Sequence, residues 1–434
     1  MKEIDGRGFR MESLGIYIHI PFCIRKCLYC DFLSFPKGRA QQALYFDALE
    51  KEILLSATGC GKYEVQSVFF GGGTPTAVMP EAIVRIMKAL FDNFSFKDDA
   101  EITIECNPGT ADLDALKAYR NAGINRLSIG LQSAKDDELK RLGRIHDREM
   151  FEECYRNAIK AGFENINVDL MSALPGQTLT DWEDNLKYVC TLDPAPCHIS
   201  AYSLIIEEGT PFYELYGEDN ENKDIAVSVN MQDGSEYCQN PRLPLPDEDT
   251  ERQMYHRTEE ILSSYGYRRY EISNYSAKGK ECIHNLRYWQ GGDYLGLGLG
   301  ASSLMKNERY HNTSDFERYI ETLNGDFSIG EAEGKDGAIS LSAENQRLLD
   351  IREDVEPLDE KARMEEFMFL GLRLTAGVSA NEFRSRFGKE IGEIYGGVIE
   401  GLREKNLLEW DGDTIRLSAE GLDVSNYCMA EFLL

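Results

Sequence analysis

The chain has 434 residues, 42% hydrophobic and 28% charged, which is the balance of a globular protein rather than a disordered one. Asp and Glu number 75 against 47 Lys and Arg, for a formal net charge of −28; this argues against nucleic acid or an anionic membrane as the main partner, since both need a basic face. No apolar run is long enough to span a membrane, and the opening residues, MKEIDGRGFRMESLG, lack the apolar stretch of a secretory signal.

Strand-like and helix-like patterns alternate from the start. GIYIHI (15–20) is β-rich, and Tyr45, Leu49 and Ile53 then share one helical face. VQSVFF (65–70) runs into a glycine run, followed by a helix with Ile83, Ile86, Met87 and Leu90 on one stripe. EITIEC (101–106), INRLSIGLQ (124–132), INVDLM (166–171) and CHISAYSLI (197–205) continue the series, separated by helical segments. Near-continuous apolar strands alternating with amphipathic helices predict an α/β fold with a parallel sheet. Six such units make a partial barrel, with a doubly wound open sheet as the alternative.

Residues 214–250 are acidic and Pro-containing and are expected to form a surface insertion on a core covering 1–310. Residues 311–360 are weakly patterned and are expected to be a linker. A last unit spans 361–434. It has helices near 364–375 and 390–405, and Asp411-Gly412 between β-like runs signals a hairpin. Helices with a small hairpin predict a winged-helix-like α+β domain. Its acidic balance favours a packing or gating role over DNA binding.

The eleven cysteines are odd in number in a long chain, which favours a reducing cytoplasm over a disulfide framework. Three of them, Cys23, Cys27 and Cys30, form C-x3-C-x2-C just after the first strand, where a parallel barrel places its active-site loops. Three thiolates hold three irons of a [4Fe–4S] cluster and leave one iron open, since the next cysteine is Cys60. Zinc is the structural alternative, with His19 as a fourth ligand. The glycines at 296, 298 and 300 lack the helix and acidic partner of a dinucleotide site, so they read as close packing or a bend.

The cysteine spacing, with Tyr29 before the last cysteine, resembles the signature of the radical S-adenosylmethionine (SAM) superfamily. Further segments resemble one branch of it: YIHIPFC (17–23), FFGGGTPT (69–76), IECNPG (104–109), LSIGLQS (127–133), DLMSALPGQT (169–178), HISAYSLIIEEGTPF (198–212), HNLRYW (284–289) and YLGLGLGASS (294–303). That branch holds oxygen-independent coproporphyrinogen III dehydrogenase (HemN) and the HemW-type heme chaperones. The resemblance implies a partial (βα)6 barrel whose open iron is chelated by the SAM amino and carboxylate groups, the cofactor carrying the hard chemistry. It assigns Cys23, Cys27 and Cys30 to the cluster. It assigns Gly72, Gly73 and Thr74, in a Gly71–Thr74 run, to the SAM amino group. Tyr17, Tyr29, Glu105, Gln132, Arg144, Asp169 and Ser203 match further SAM contacts. Asp169 or Glu105 would accept from ribose hydroxyls and Arg144 would neutralise the carboxylate. His284 heads a pattern associated with the heme chaperones and is the candidate heme ligand, although a lone histidine is more often a hydrogen-bonded structural residue.

Two features separate the alternatives within the branch. The dehydrogenase pattern continues C-x2-C-x-C, and here Phe32 stands at the last position. Only about fifteen residues precede the first strand, where the dehydrogenase has a longer arm. Both favour a heme chaperone, with heme as cargo, an apo-hemoprotein as recipient and an electron donor such as flavodoxin or ferredoxin. Porphyrinogen decarboxylation is the alternative.

Overall fold

A computed structural model describes residues 11–217, 227–230, 236–239, 243–325 and 342–434. Six βα units open the chain: β1 Glu12–Ile20, α1 Arg39–Ala57, β2 Tyr63–Gly72, α2 Pro80–Asn93, β3 Phe96–Cys106, α3 Leu113–Asn121, β4 Arg126–Gln132, α4 Asp136–Arg141, α5 Arg148–Lys160, β5 Asn165–Ser172, α6 Leu179–Cys190 and β6 His198–Ser203. Neighbouring strands are parallel and lie in sequence order, β1 to β6. A doubly wound sheet reverses its strand order at a switch point. No reversal occurs in this series, so it is singly wound, the connectivity of a partial barrel.

The strands are less uniformly apolar than their runs suggested. Ile16, Val68, Ile104, Ile129, Val168 and Ile199 are fully buried in one apolar core with Leu49, Ile86, Leu116, Phe151 and Leu186 of the covering helices. The alternate positions, which a strand turns to its other face, are polar: Ser67, Glu101, Thr103, Arg126, Ser128, Asn167 and His198, all buried. They pair with one another and with their neighbours, except that Thr103 Oγ1 and Arg126 Nε have no hydrogen-bond partner. Asn167 Nδ2 donates to Ser128 Oγ at 2.7 Å and to Asp169 at 2.7 Å, and its Oδ1 lies 2.6 Å from His198 Nδ1. His198 Nε2 meets the Tyr270 hydroxyl at 2.9 Å. The period of two survives, but the concave face is filled by polar groups.

Helix starts are set locally. Asp112 and Asp147 accept the N–H groups of Ala115 and Met150, and Thr178 with Asp181 forms a reciprocal capping box. After β6 come α7 Pro211–Tyr216, α8 Glu248–Ser264 and α9 Ile283–Trp289. Within the expected acidic insertion, Val227–Asn230 and Glu236–Gln239 form an antiparallel pair. Most of the rest of 214–250 (218–226, 231–235 and 240–242) lies outside the described residues.

Of the stretch expected as a linker, 311–360, residues 326–341 lie outside the described residues, and the described remainder is largely regular and continues a sheet extension that begins before it. Tyr294–Leu297 adds to the sheet parallel to β1. Ser302–Met305, Glu308–Asn312 and Arg352–Pro357 extend it as antiparallel strands. Helices Phe316–Asn324 and Ser342–Ile351 accompany them. Tyr319, Leu323, Leu348 and Ile351 belong to the main apolar core. Too few apolar residues show in the sequence there because strand Arg352–Pro357 is an exposed edge. The glycine series is a bend in close contact, as expected: a side chain at Gly298 would meet the Tyr45 hydroxyl at 2.5 Å and the His19 carbonyl at 2.7 Å.

The last unit has its own core, including Met368, Phe383, Tyr395, Ile399 and Ile415. Its helices are Glu360–Gly371, Ala380–Phe387, Ile391–Glu404, Ala419–Asp423 and Ser425–Ala430. Its three strands order as Val378–Ser379, Thr414–Leu417, Leu408–Trp410, a winged-helix-like arrangement. The unit is stitched to the barrel by the Thr375 N–H, which donates to the Tyr270 carbonyl at 3.1 Å. Among the described residues no helix is long and apolar enough to cross a membrane.

Candidate cofactor site

The C-terminal ends of β2 to β6 and the cysteine loop enclose a cleft of about 130 Å³. Cys23, Cys27, Cys30, Tyr29, Gly72, Gly73, Thr74, Glu105, Gln132, Arg144 and Asp169 all line it. Residues from four strands and three loops, spread over some 150 positions, are thus brought to one place by the singly wound topology.

Backbone bonds fix the cysteine loop. Cys23 N–H donates to the Phe35 carbonyl at 3.3 Å, and Leu28 N–H to the Leu142 carbonyl at 3.1 Å. The glycine run lies directly against it. Gly73 N–H donates to Ile20 at 2.9 Å and Thr74 N–H to Phe22 at 2.8 Å. A side chain at Gly73 would stand 2.8–2.9 Å from the backbone of Ile20 and Phe22, so this position needs glycine for close approach. Gly72 has φ +107°, and a side chain there would strike the His19 ring at 2.4 Å.

Two residues that the sequence did not single out complete the cleft. Asn107, just past the end of β3, donates to Thr74 Oγ1 at 2.8 Å and accepts from Arg144 Nη2 at 2.8 Å. Those partners in turn touch the thiols: Thr74 Oγ1 lies 3.6 Å from Cys23 Sγ, and Arg144 Nη1 donates to Cys27 Sγ at 3.6 Å. The second is Tyr202, whose hydroxyl donates to Gln132 Oε1 at 3.0 Å. Gln132 sits at φ +68°, next to a register shift between β4 and β5. Such a strained, irregular strand end re-aims a side chain. Both residues lie in motifs quoted above, IECNPG and HISAYS; the signal was a polar residue at a strand end.

Three expected residues lie elsewhere. Tyr17 stands one layer back, within 3.1 Å of a side-chain position on Gly71 that is also 3.3 Å from the Glu105 carboxyl. Ser203 faces a second cavity between β6, α8 and the last helices, with its Oγ 3.2 Å from Ser172 Oγ. His284 is in the packed barrel floor, 1% exposed. Its Nδ1 meets Ser67 Oγ at 2.9 Å and its Nε2 meets the Tyr288 hydroxyl at 2.9 Å. Burial, then the Arg287 and Arg126 charges, push its pKa down to about 3. Both ring nitrogens are therefore engaged on a neutral ring. His19, the alternative zinc ligand, is likewise engaged by the Leu33 carbonyl at 2.8 Å and Tyr17 at 3.2 Å.

Burial, then Asp169's charge, push the Glu105 carboxyl up to about 8, against a hydrogen bond from the Gly72 N–H. Burial also raises Asp169, opposed by donors from Asn167, Ser200 and Ser128. Two carboxyl groups facing one cleft cannot both ionise cheaply, so at neutral pH Glu105 keeps its proton. Burial raises the Cys23 thiol and pushes the Cys30 thiol up to about 12.

The residues fit a cluster with a SAM-type ligand in three respects. The donor set is three thiols on one cleft, which closes neither a zinc site nor a fully ligated cluster. The cationic Arg25 and Arg144 side chains line that cleft, which suits an anionic group, and their Nε atoms are buried without hydrogen-bond partners. The Gly72–Gly73 backbone leaves room for close approach. The thiols do not form a preformed cage: among the described residues no three His, Cys, Asp or Glu side chains converge on a metal-binding point.

A partial barrel that presents three spaced cysteines and a glycine run at its strand ends defines the class of radical SAM proteins. The comparisons agree. A family model for the radical SAM superfamily matches residues 17–189, and one for the HemN C-terminal domain matches residues 358–424. The heme chaperone HemW of Bacillus subtilis is 33% identical over 96% of this chain and 98% of its own length. That of Lactococcus lactis is 30% identical over 96% and 97%. The solved structure of coproporphyrinogen III oxidase (HemN) from Escherichia coli superposes with a TM-score of 0.76 at 22% identity, covering 98% of this chain and 90% of that one, a likeness of fold. The chain belongs to the radical SAM superfamily, in the family of the HemW heme chaperones.

Proposed function

We propose that this chain binds heme and delivers it to apo-proteins, using a [4Fe–4S] cluster and SAM held in the cleft. The observation that carries the reading is a match to heme chaperones along nearly the whole of both chains. Phe32, exposed at the cleft mouth where the dehydrogenase pattern has a cysteine, supports it.

In this reading Cys23, Cys27 and Cys30 hold the cluster, and Gly72, Gly73, Thr74, Tyr29, Gln132 and Arg144 surround SAM. When bound, the pair supplies one-electron chemistry to the cleft. The chain's own residues orient and shield. Arg144 offers guanidinium N–H groups to a carboxylate. Glu105, carrying its proton, donates, while Asp169, fed by Asn167 and Ser128, accepts. Tyr17 backs this wall, and Ser203 belongs to the neighbouring cavity. The cargo's recipient is an apo-hemoprotein, the electron source is a carrier of the flavodoxin or ferredoxin kind, and the setting is the cytoplasm.

The test is anaerobic. The reconstituted protein receives coproporphyrinogen III, SAM and a reductant, and porphyrins are separated by chromatography. No protoporphyrinogen is expected. In a parallel assay the heme-loaded protein should lose its Soret band as an added apo-hemoprotein gains one. Decarboxylated product over many turnovers would overturn the reading.

A further inference from the structure

Cys106 closes β3, and Cys154 lies in the middle of α5. The cofactor reading uses neither thiol. Their Sγ atoms stand 3.7 Å apart although the residues are 48 positions apart in the chain. They are 1% and 2% exposed. Disulfide sulfurs are about 2.05 Å apart, so a small rotation of each side chain separates contact from bond. Cys106 also borders the cofactor cleft. The next residue, Asn107, bridges Thr74 and Arg144, the two side chains that touch Cys23 and Cys27.

We propose that Cys106 and Cys154 form a reversible two-electron redox couple, a disulfide when oxidised, that ties the end of β3 to α5 directly behind the cofactor cleft. The oxidant is a low-molecular-weight disulfide of the glutathione class. One protein thiolate attacks it, breaking its S–S bond and releasing one thiol. The second protein thiolate then displaces the other, forming the Cys106–Cys154 bond. Two protein thiols lose two protons and two electrons, and one small disulfide becomes two thiols. The order of attack follows from the contact. The hydrogen-bond contact between the two sulfurs holds Cys106 below its ordinary value and raises Cys154, so Cys106 is the first nucleophile. The bond pins the residue preceding Asn107, and oxidation is thereby felt at Thr74 and Arg144.

The inference does not depend on what cargo the protein carries. Full-length, cluster-loaded protein is equilibrated anaerobically in glutathione buffers of rising disulfide content, quenched with an alkylating reagent, digested without reductant and analysed by mass spectrometry. The expected result is a Cys106–Cys154 linked peptide that grows with the disulfide over the square of the thiol concentration, with complete loss of alkylation at both residues. Dithiothreitol should reverse it, and Cys154→Ala should lack it. Cys106 and Cys154 alkylated throughout, a lasting glutathione adduct on one of them, or a bond from either to Cys23, Cys27 or Cys30 would each overturn the proposal. The wild-type map decides the matter even if the variant does not fold.

Discussion

The concave face of the barrel has two halves built from the same strands and the same residue types. At the mouth, Glu105, Gln132, Asp169 and Arg144 face a cleft. On the floor, Glu101, Arg126, Asn167, His198 and His284 face one another. A carboxyl, an amide and a guanidinium occur in both. What differs is that the mouth groups also face open space, whereas the floor groups meet only protein. A polar side chain on an inward strand position is therefore a functional signal only near the C-terminal strand end. Deeper in, it is packing, and its loss is paid in stability.

The contrast can be broken by substitution. The largest effect belongs to the mouth: Cys27→Ser should abolish iron retention after anaerobic reconstitution, measured as iron and acid-labile sulfide, while the thermal midpoint of the apo-protein stays put. On the floor, Arg126→Met strands Glu101, its partner at 3.9 Å, and should cost about 3–5 kcal/mol in denaturant unfolding.

Another buried carboxyl sharpens the comparison by pH. Glu52 accepts from Gly298 N–H at 2.8 Å, Asn312 at 2.6 Å and Tyr319 at 2.5 Å, yet burial pushes it up from 4.5 to about 7. The folded state thus binds the proton more tightly than the unfolded chain does. The stability that this confers is complete below about pH 4.5 and is lost as pH rises through about 7. The stability difference between wild type and Glu52→Gln should drift by about 3 kcal/mol over that window, and a flat difference would refute the shift.

Gly73→Ala tests the mouth again. It forces the glycine run off the cysteine loop and should cost about 1–3 kcal/mol together with weaker SAM binding by calorimetry. The smallest effect is on the floor. His284→Gln leaves Ser67 or Tyr288 short of a partner and should cost about 1–2 kcal/mol with heme binding per folded molecule unchanged. A Soret titration that collapses in this variant would restore His284 as a ligand.

Much of the site was legible because it is local. Three cysteines within eight residues, a glycine run after a strand and acidic or amide residues at strand ends are patterns of spacing, and the alternation of strands and helices gives their order. Chain spacing cannot report which polar residues lie deep and which lie at the mouth, since both follow the same period of two. His284 on the floor therefore reads in the sequence like the residues of the mouth, and Asn107 and Tyr202 do not stand out from their neighbours. Ser203 looked like its neighbours until the helices packed beyond β6 set it in another cavity. Residues 311–325 and 342–360 looked like a linker because an exposed edge strand needs few apolar residues.

By itself the sequence determined the cysteine spacing, the glycine run and the succession of βα units, all of which are patterns among near neighbours. Only the tertiary structure decided which inward polar groups find protein partners and which face the cleft. It also decided that Cys106 meets Cys154. Those outcomes depend on where the curvature of a parallel sheet places side chains that are far apart in the chain.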